Sequence, residues 1–188
     1  MQHSITVAHA ASKYTPLAAE GSTLDGLNVH FAVIDELHAH KTRAVYDVID
    51  TARGAREQSL LWNITTAGTD RSGICYERRT HVVKVLDGVL DDPAIFGIIY
   101  SIDEADDPFD PLNWAKANPN YGRSVLEDDM VAAARKAEAM PSALSNFLTK
   151  RLNVWVHGES AWMDMRAWDR CAQHGLSIAD VPQGAPVW

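Results

Sequence analysis

Residues 31–36 read Phe-Ala-Val-Ile-Asp-Glu, so that four apolar residues lead directly into two adjacent carboxylates. An apolar run of this kind predicts a strand buried on both faces, as the strands of parallel sheets are. Open α/β sheets bind ligands at the carboxyl ends of such strands, which is where Asp35 and Glu36 fall. This is the pattern of a Walker B element, whose first acid holds Mg²⁺ through water and whose second activates water against a γ-phosphate. The same residues also fit an ordinary strand that ends in a solvated Asp-Glu turn.

The composition of the chain is that of an ordinary globular protein. Its 188 residues suffice for one domain, or for one domain and part of a second, and 46% of them are hydrophobic. The net charge of −8 argues against a free-standing nucleic-acid binder, which normally presents a basic face. Cys75 and Cys171 lack the spacing of a metal site, and no apolar run reaches the length of a membrane span. We therefore expect a soluble, intracellular protein with reduced thiols.

Helical and strand patterns alternate after the opening stretch. Residues 42–53 and 71–90 carry apolar side chains at helical spacing and predict two amphipathic helices. Residues 60–66 and 95–100 are apolar runs that predict a second and a third strand. Because strands and helices that alternate in this way are typical of βαβ units, the predicted fold class is α/β with a mainly parallel sheet.

The later half of the sequence predicts helices rather than further βαβ units. One helix is expected at residues 124–139, opened by a capping box of Ser124 and Glu127. A second helix is expected from Pro141, and residues 153–156 predict a short strand. The tail of the chain is rich in proline and glycine, which is typical of a linker.

Two hydroxyl side chains, Thr65 and Thr66, close the second predicted strand. In ASCE-type P-loop ATPases the strand beside Walker B carries a polar residue that senses the γ-phosphate. A hydroxyl suits this task because it can hydrogen-bond phosphate or the attacking water without adding charge. The alternative is structural, since threonine pairs are common in strands.

Two further features bear on the chemistry of the chain. His38 and His40, with His30 nearby, raise the possibility of a metal site, but their spacing is not HExxH and is more typical of histidines at a surface or a helix start. The sequence also contains no G-x-x-x-x-G-K-[ST] loop, whose amides and lysine cradle phosphates in P-loop proteins. Without that loop we expect a Walker B element to hold MgATP only weakly.

The chain resembles the large terminase subunit of tailed bacteriophages and prophages. Residues 24–40 are similar to that family's approach to and exit from Walker B, and residues 61–68 resemble its coupling motif. Later landmarks also resemble the family, and the similarity covers roughly residues 12–175. These landmarks are residues 114–119 (Trp-Ala-Lys-Ala-Asn-Pro), residues 152–156 (Leu-Asn-Val-Trp-Val), Trp162 and Trp168.

The resemblance implies a P-loop NTPase fold and the chemistry of a packaging motor. A complete family protein has an N-terminal ATPase domain, which pumps double-stranded DNA into the capsid, and a C-terminal nuclease domain, which cuts DNA with two metal ions. It implies ATP and Mg²⁺ as the ligands, a ring of identical subunits, and the portal protein and small terminase subunit as partners in the host cytoplasm, away from membranes. Asp35 is implied as the Mg²⁺ residue, Glu36 as the catalytic carboxylate, and Thr65 and Thr66 as the coupling residues.

The same resemblance predicts which part of the family protein this chain represents. The family's Walker A segment would lie upstream of residue 1, and the first metal-binding Asp of its nuclease would follow Trp188. We therefore expect a parent ATPase whose isolated second half has weak or no activity. The predicted domains are the C-terminal half of the ATPase core at residues 1–110, a helical subdomain at 111–175, and a linker at 176–188.

Two other interpretations fit parts of the sequence. Asp35 to His38 matches the DExH box of a nucleic-acid helicase, and residues 65–67 stand near the place of the helicase S/T-A-T motif. An inactive prophage adaptor or scaffold would fit the acidic charge and the missing phosphate loop. A helicase would require a second RecA-like domain, whereas an adaptor or scaffold would show no nucleotide binding that depends on Asp35.

Overall fold

The computed structural model describes residues 4–17 and 26–157. The predicted linker at residues 176–188 lies outside this part, as do Trp162, Trp168 and Cys171. No helix among the described residues is long and apolar enough to cross a membrane.

The described residues form four strands and five α-helices. The strands are β1 (Ile5–Val7), β2 (Ser12–Tyr14), β3 (Phe31–Asp35) and β4 (Leu60–Ile64). The helices are α1 (Ala44–Thr51), α2 (Ile74–Leu86), α3 (Pro111–Ala117), α4 (Glu127–Ala139) and α5 (Pro141–Asn146). Short 3₁₀ helices at Ala8–Ala10 and Leu37–Ala39 and a π-helical turn at Phe147–Arg151 complete the elements.

A parallel pair of strands lies beneath the first hydrophobic core. β3 and β4 pair in register from Phe31 opposite Leu60 to Asp35 opposite Ile64, and α1 connects them. One face of the pair packs on α1 and α2, which confirms the α/β class and the predicted order of strand, helix, strand and helix. The other face is apolar and exposed, and Trp62 on it is 56% exposed. β1 and β2 form a separate antiparallel ribbon.

The third predicted strand, at residues 95–100, is not a strand in the structure. Its side chains do alternate in exposure, with Phe96 90% exposed and Ile95 half-buried, as a strand lying on a surface would show. The sequence pattern indicates this alternation, but it does not show whether a neighbouring strand is present to pair with the segment. The backbone carbonyl of Tyr100 accepts a hydrogen bond from the side chain of Asn153 rather than from a strand. The sheet of the described residues is therefore smaller than predicted.

A second hydrophobic core is built from α3, α4, α5 and the π-helical turn. Trp114, only 1% exposed, lies at its centre, donates from Nε1 to the carbonyl of Pro108 at 2.9 Å, and packs edge-to-face with Phe147. The predicted capping box of α4 is wrong. The helix begins at Glu127 after an N-cap at Leu126, whose apolar side chain cannot accept a hydrogen bond. The amide of Ser124, which a capping box would pair with Glu127, donates instead to the carbonyl of Asn120 in the preceding turn.

The predicted strand at residues 153–156 is also wrong, and the segment connects the two cores instead. Asn153 has a left-handed backbone with φ of 56°, which interrupts an extended conformation. Its Oδ1 accepts from the amide of Ala67 and its Nδ2 donates to the carbonyl of Tyr100, both at 2.7 Å. On either side, Leu152 is buried in the second core and Trp155 packs edge-on against Tyr76 of α2 at 4.9 Å.

We expect Asn153→Gly to lower the free energy of unfolding by about 1–3 kcal/mol, because the buried amide of Ala67 and the carbonyl of Tyr100 lose their partner. Asn153→Ala should cost about 1 kcal/mol more than Asn153→Gly, since alanine carries the steric penalty of the left-handed region. Urea unfolding followed by circular dichroism measures both values. Equal stability of wild type and Asn153→Gly would show that the two hydrogen bonds do not hold the segment.

Gly97 provides a test of how residues 95–100 pack on α2. A Cβ at this position would lie 2.3 Å from Cγ1 of Val82, a β-branched side chain with little freedom to move away. Gly97→Ala should therefore destabilise the fold by about 1–3 kcal/mol, and combining it with Val82→Ala should recover part of that loss. The control is Gly54→Ala, whose Cβ would meet nothing closer than a carbonyl oxygen at 3.6 Å. Additive effects of the two substitutions would contradict this packing.

Candidate functional site

The two acids predicted from the sequence lie at the carboxyl end of β3. Oδ1 of Asp35 accepts a hydrogen bond from the amide of Glu36 at 2.9 Å. Glu36 has a left-handed backbone with φ of 51°, so the chain turns sharply there into the 3₁₀ helix that follows. Leu37, which is 1% exposed, anchors that turn in the first core. A left-handed conformation costs a non-glycine residue about 1–2 kcal/mol, and such strain is concentrated at functional sites.

The threonines predicted from the sequence follow β4 at the same edge of the sheet. The strand register places Ile64 opposite Asp35, so Thr65 comes directly after this pair. Oγ1 of Thr65 accepts from the amide of His38 at 3.1 Å and donates to the carbonyl of Thr66 at 2.9 Å. The ends of β3 and β4 are thus tied together by side-chain bonds as well as by the strand ladder.

His38 brings together one predicted acid, Glu36, and one predicted threonine, Thr65. Its Nδ1 lies 3.0 Å from Oγ1 of Thr65 and 3.0 Å from Oε2 of Glu36, and its side chain is only 12% exposed. Burial lowers the pKa of His38 from its ordinary value of 6.5, and the positive charge of Lys150 lowers it further, against the opposing effect of Glu36. The imidazole is therefore neutral at pH 7 and carries one ring proton.

Lys150 approaches the same imidazole from the second core. Its Nζ donates to Nε2 of His38 and, at 3.2 Å, to Oγ1 of Thr66. No local motif in the sequence marks Lys150, which lies 112 residues from His38 and 84 from Thr66, on a π-helical turn. Only the crossing of the chain from the second core to the first brings these side chains together.

An open cleft of about 360 Å³ adjoins the site and is lined by two of its side chains, His38 and Lys150. Gly68 forms part of its wall, and a Cβ there would lie 3.2 Å from Cβ of His38 and 3.4 Å from Cζ3 of Trp155, so a larger residue would require these neighbours to shift slightly. Two lysines and two histidines line the cleft, whereas a single carboxylate, that of Asp70, does so. Its lining residues are His38, Ala39, His40, Lys41, Ala67, Gly68, Thr69, Asp70, Thr149 and Lys150.

The carboxylates of the site are compatible with a hydrated Mg²⁺ ion. Within residues 4–17 and 26–157, no three His, Cys, Asp or Glu side chains are grouped as ligands for a metal ion. Mg²⁺, however, keeps several waters and is commonly held by one or two carboxylates together with substrate phosphates. Asp35 is exposed at the end of its strand, so its carboxylate fits that role.

Two family models match the chain. The model described as "Terminase large subunit, ATPase domain" matches residues 1–84, and "Terminase large subunit, endonuclease domain" matches residues 89–181. The sequence predicted boundaries near residues 110 and 175 and placed the nuclease beyond Trp188. The two matches divide the chain between residues 84 and 89, and the predicted boundaries stay predictions.

Individual relatives show the same similarity. The chain is 40% identical over 154 residues to Protein YmfN of Escherichia coli K12, across 82% of this chain and 34% of that protein. It is 31% identical over 163 residues to the terminase large subunit of Enterobacteria phage HK97, across 86% and 31%. The crystal structure of the HK97 large terminase aligns with a TM-score of 0.69 over 86% of this chain and 33% of that one. The chain thus spans about a third of the length of these relatives.

We expect His38 to make the fold less stable as the pH falls below neutrality. Its folded pKa lies below 6.5, so the unfolded chain takes up the proton first, and unfolding becomes easier as the pH falls through 6.5 towards the folded value. The free energy of unfolding, measured in urea between about pH 7.5 and pH 5.5, should fall less steeply in His38→Gln than in wild type.

The control for this experiment is His9→Gln, which changes an exposed histidine far along the chain from the site. That variant should follow the wild-type pH dependence. The same slope in wild type and His38→Gln would mean that burial and Lys150 do not keep His38 neutral.

Proposed function

The chain belongs to the family of terminase large subunits, and from that premise we propose that the ends of β3 and β4 form the hydrolytic edge of an ASCE-type P-loop ATPase. One observation carries the proposal. Glu36 after β3 and Thr65 after β4 both lie 3.0 Å from the same imidazole nitrogen of His38, at the edge where parallel sheets bind ligands. A solvated Asp-Glu turn would not require this arrangement.

We assign a separate role to each predicted site residue. Asp35 would hold Mg²⁺ through water, and the ion, when bound with the nucleotide, neutralises charge on the phosphates. Glu36 would orient or deprotonate the water that attacks the γ-phosphate. Thr65 and Thr66 would hydrogen-bond to phosphate or to that water and communicate loss of the γ-phosphate to moving parts of the protein. Thr66 is suited to this because its hydroxyl contacts Lys150, which belongs to the second core.

For the whole protein we propose the activity of a DNA-packaging motor. ATP hydrolysis by a ring of subunits would drive double-stranded DNA into a capsid in the bacterial cytoplasm, with the portal protein and the small terminase subunit as partners. The terminase relatives, about three times the length of this chain, and the match to an endonuclease-domain model support a parent protein that also cuts DNA. The family membership favours this interpretation over a helicase.

The proposal predicts Mg²⁺-dependent nucleotide binding that requires Asp35. We expect the 188-residue chain to bind a fluorescent ATP analogue weakly in the presence of Mg²⁺, with the affinity about tenfold lower in Asp35→Asn, a loss of about 1.4 kcal/mol. Chelation of Mg²⁺ should reduce wild-type binding to the level of that variant. Glu36→Gln should bind as wild type does, because its proposed role is in hydrolysis, and should abolish any residual turnover.

Asp91→Asn is the matched control, since it removes one exposed carboxylate from a loop outside the site. It should bind the analogue as wild type does. Binding that is indifferent to Mg²⁺ and equal in wild type and Asp35→Asn would contradict the proposed site and would favour the adaptor or scaffold interpretation.

A further inference from the structure

Lys150, His38 and Thr65 form a chain of hydrogen bonds in which each proton has one position. An ammonium group only donates, so Nε2 of His38 must accept from Lys150 and cannot itself carry a proton. The hydroxyl proton of Thr65 goes to the carbonyl of Thr66, which leaves the oxygen of Thr65 to accept. The single proton of the neutral imidazole therefore lies on Nδ1, between Oγ1 of Thr65 and Oε2 of Glu36.

We propose that Lys150 is a positioning residue for the hydrolytic edge and acts through His38. By donating to Nε2 it fixes the imidazole as the Nδ1–H tautomer, and that N–H holds the carboxylate of Glu36 and the hydroxyl of Thr65 in one orientation. In the other tautomer Nε2–H would face the ammonium group, and Nδ1 would have no proton to offer the carboxylate. Only the link from this orientation to hydrolysis rests on the proposed function.

The contact joins two parts of the chain that match different family models. Glu36, His38 and Thr65 lie within residues 1–84, which match the ATPase domain, whereas Lys150 lies within residues 89–181, which match the endonuclease domain. If the second core moved and withdrew Lys150, the imidazole of His38 would lose the donor that favours its Nδ1–H tautomer. The carboxylate of Glu36 would then be held less firmly in its orientation. The position of the second core is in this way communicated to the carboxylate by one lysine.

Among the other groups around the imidazole, the carboxylate of Glu36, 3.0 Å from Nδ1, also favours a proton on Nδ1, whereas Lys150 acts at Nε2. His40 is a further charged or titratable neighbour that faces the imidazole, together with Glu36 and Lys150. Lys41 lines the same cleft but donates no hydrogen bond to His38 among the contacts of the described residues. Lys41 therefore provides a control that removes an equal charge from the cleft without removing the donor to Nε2.

Nuclear magnetic resonance of the complete chain labelled with ¹⁵N-histidine tests the proposal directly. Long-range ¹H–¹⁵N spectra at about pH 7.5 distinguish protonated from unprotonated ring nitrogens, and the resonances of His38 are those, among the eight histidines, that disappear in His38→Gln. We expect a protonated Nδ1 and an unprotonated Nε2 in wild type. In Lys150→Met the share of molecules with the proton on Nε2 should rise, although Glu36 still favours Nδ1–H, and the pKa of His38 should rise because a nearby positive charge is lost.

The controls separate the hydrogen bond from charge and from folding. Lys41→Met should leave the tautomer of His38 unchanged, and Lys150→Arg, which keeps a donor, should retain Nδ1–H. An Nε2–H tautomer in wild type would overturn the proposal, as would a tautomer that does not change in a folded Lys150→Met. If Lys150→Met fails to fold, the wild-type tautomer and its retention in Lys150→Arg decide the question.

The outcome is distinguishable from that of the proposed function because no nucleotide is needed. The expected tautomer without Asp35-dependent binding of MgATP would support the role of Lys150 and contradict the ATPase site. Asp35-dependent binding with the opposite tautomer would support the ATPase site and overturn the role of Lys150.

Discussion

The site depends on the two hydrogen bonds of Asn153, because they fix where the chain crosses from the second core to the first. Asn153 bonds to Ala67, which follows the threonines of β4, and to Tyr100. Lys150 lies three residues before Asn153 and Trp155 two residues after it. The two hydrogen bonds of Asn153 therefore determine how both side chains reach the first core. Asparagine suits this position because its side chain can donate and accept at once and because it tolerates the left-handed backbone. A helix or strand at residues 150–155 would have presented these side chains in other directions.

The first half of the fold was predictable because its signals are local. The apolar runs of β3 and β4 and the helical spacing of α1 and α2 lie within single elements, and the structure confirms each of them. Residues 95–100 and 153–156 were wrongly predicted as strands because strand formation requires a hydrogen-bonded neighbour, which no local pattern reveals. The capping box failed for a related reason, since the turn at Asn120 already used the backbone around Ser124.

The acids and threonines of the proposed site are predictable from the sequence, whereas the residues that contact them from elsewhere in the chain are not. Asp35, Glu36, Thr65 and Thr66 were identifiable because each terminates an apolar strand, and strand ends meet at one edge of a sheet. His38 was visible but carried no motif that indicated its two neighbours. Lys150 could not be found, because a lysine on a helical turn is ordinarily a solvated surface residue. Its role follows only from the tertiary crossing.

The two adjacent acids differ in how firmly the structure holds them, and this difference fits a division of labour. Within residues 4–17 and 26–157, the side chain of Asp35 bonds only to the amide of the next residue and remains exposed, so its carboxylate is accessible to a hydrated cation. Glu36 is placed by a left-handed backbone and by His38, which is itself constrained by Thr65 and Lys150. A group that must orient one water molecule gains from such constraint, because misplacement by even 1 Å can cost about 100-fold in rate. The strain at Glu36 is thus maintained by the contacts that give the carboxylate its direction.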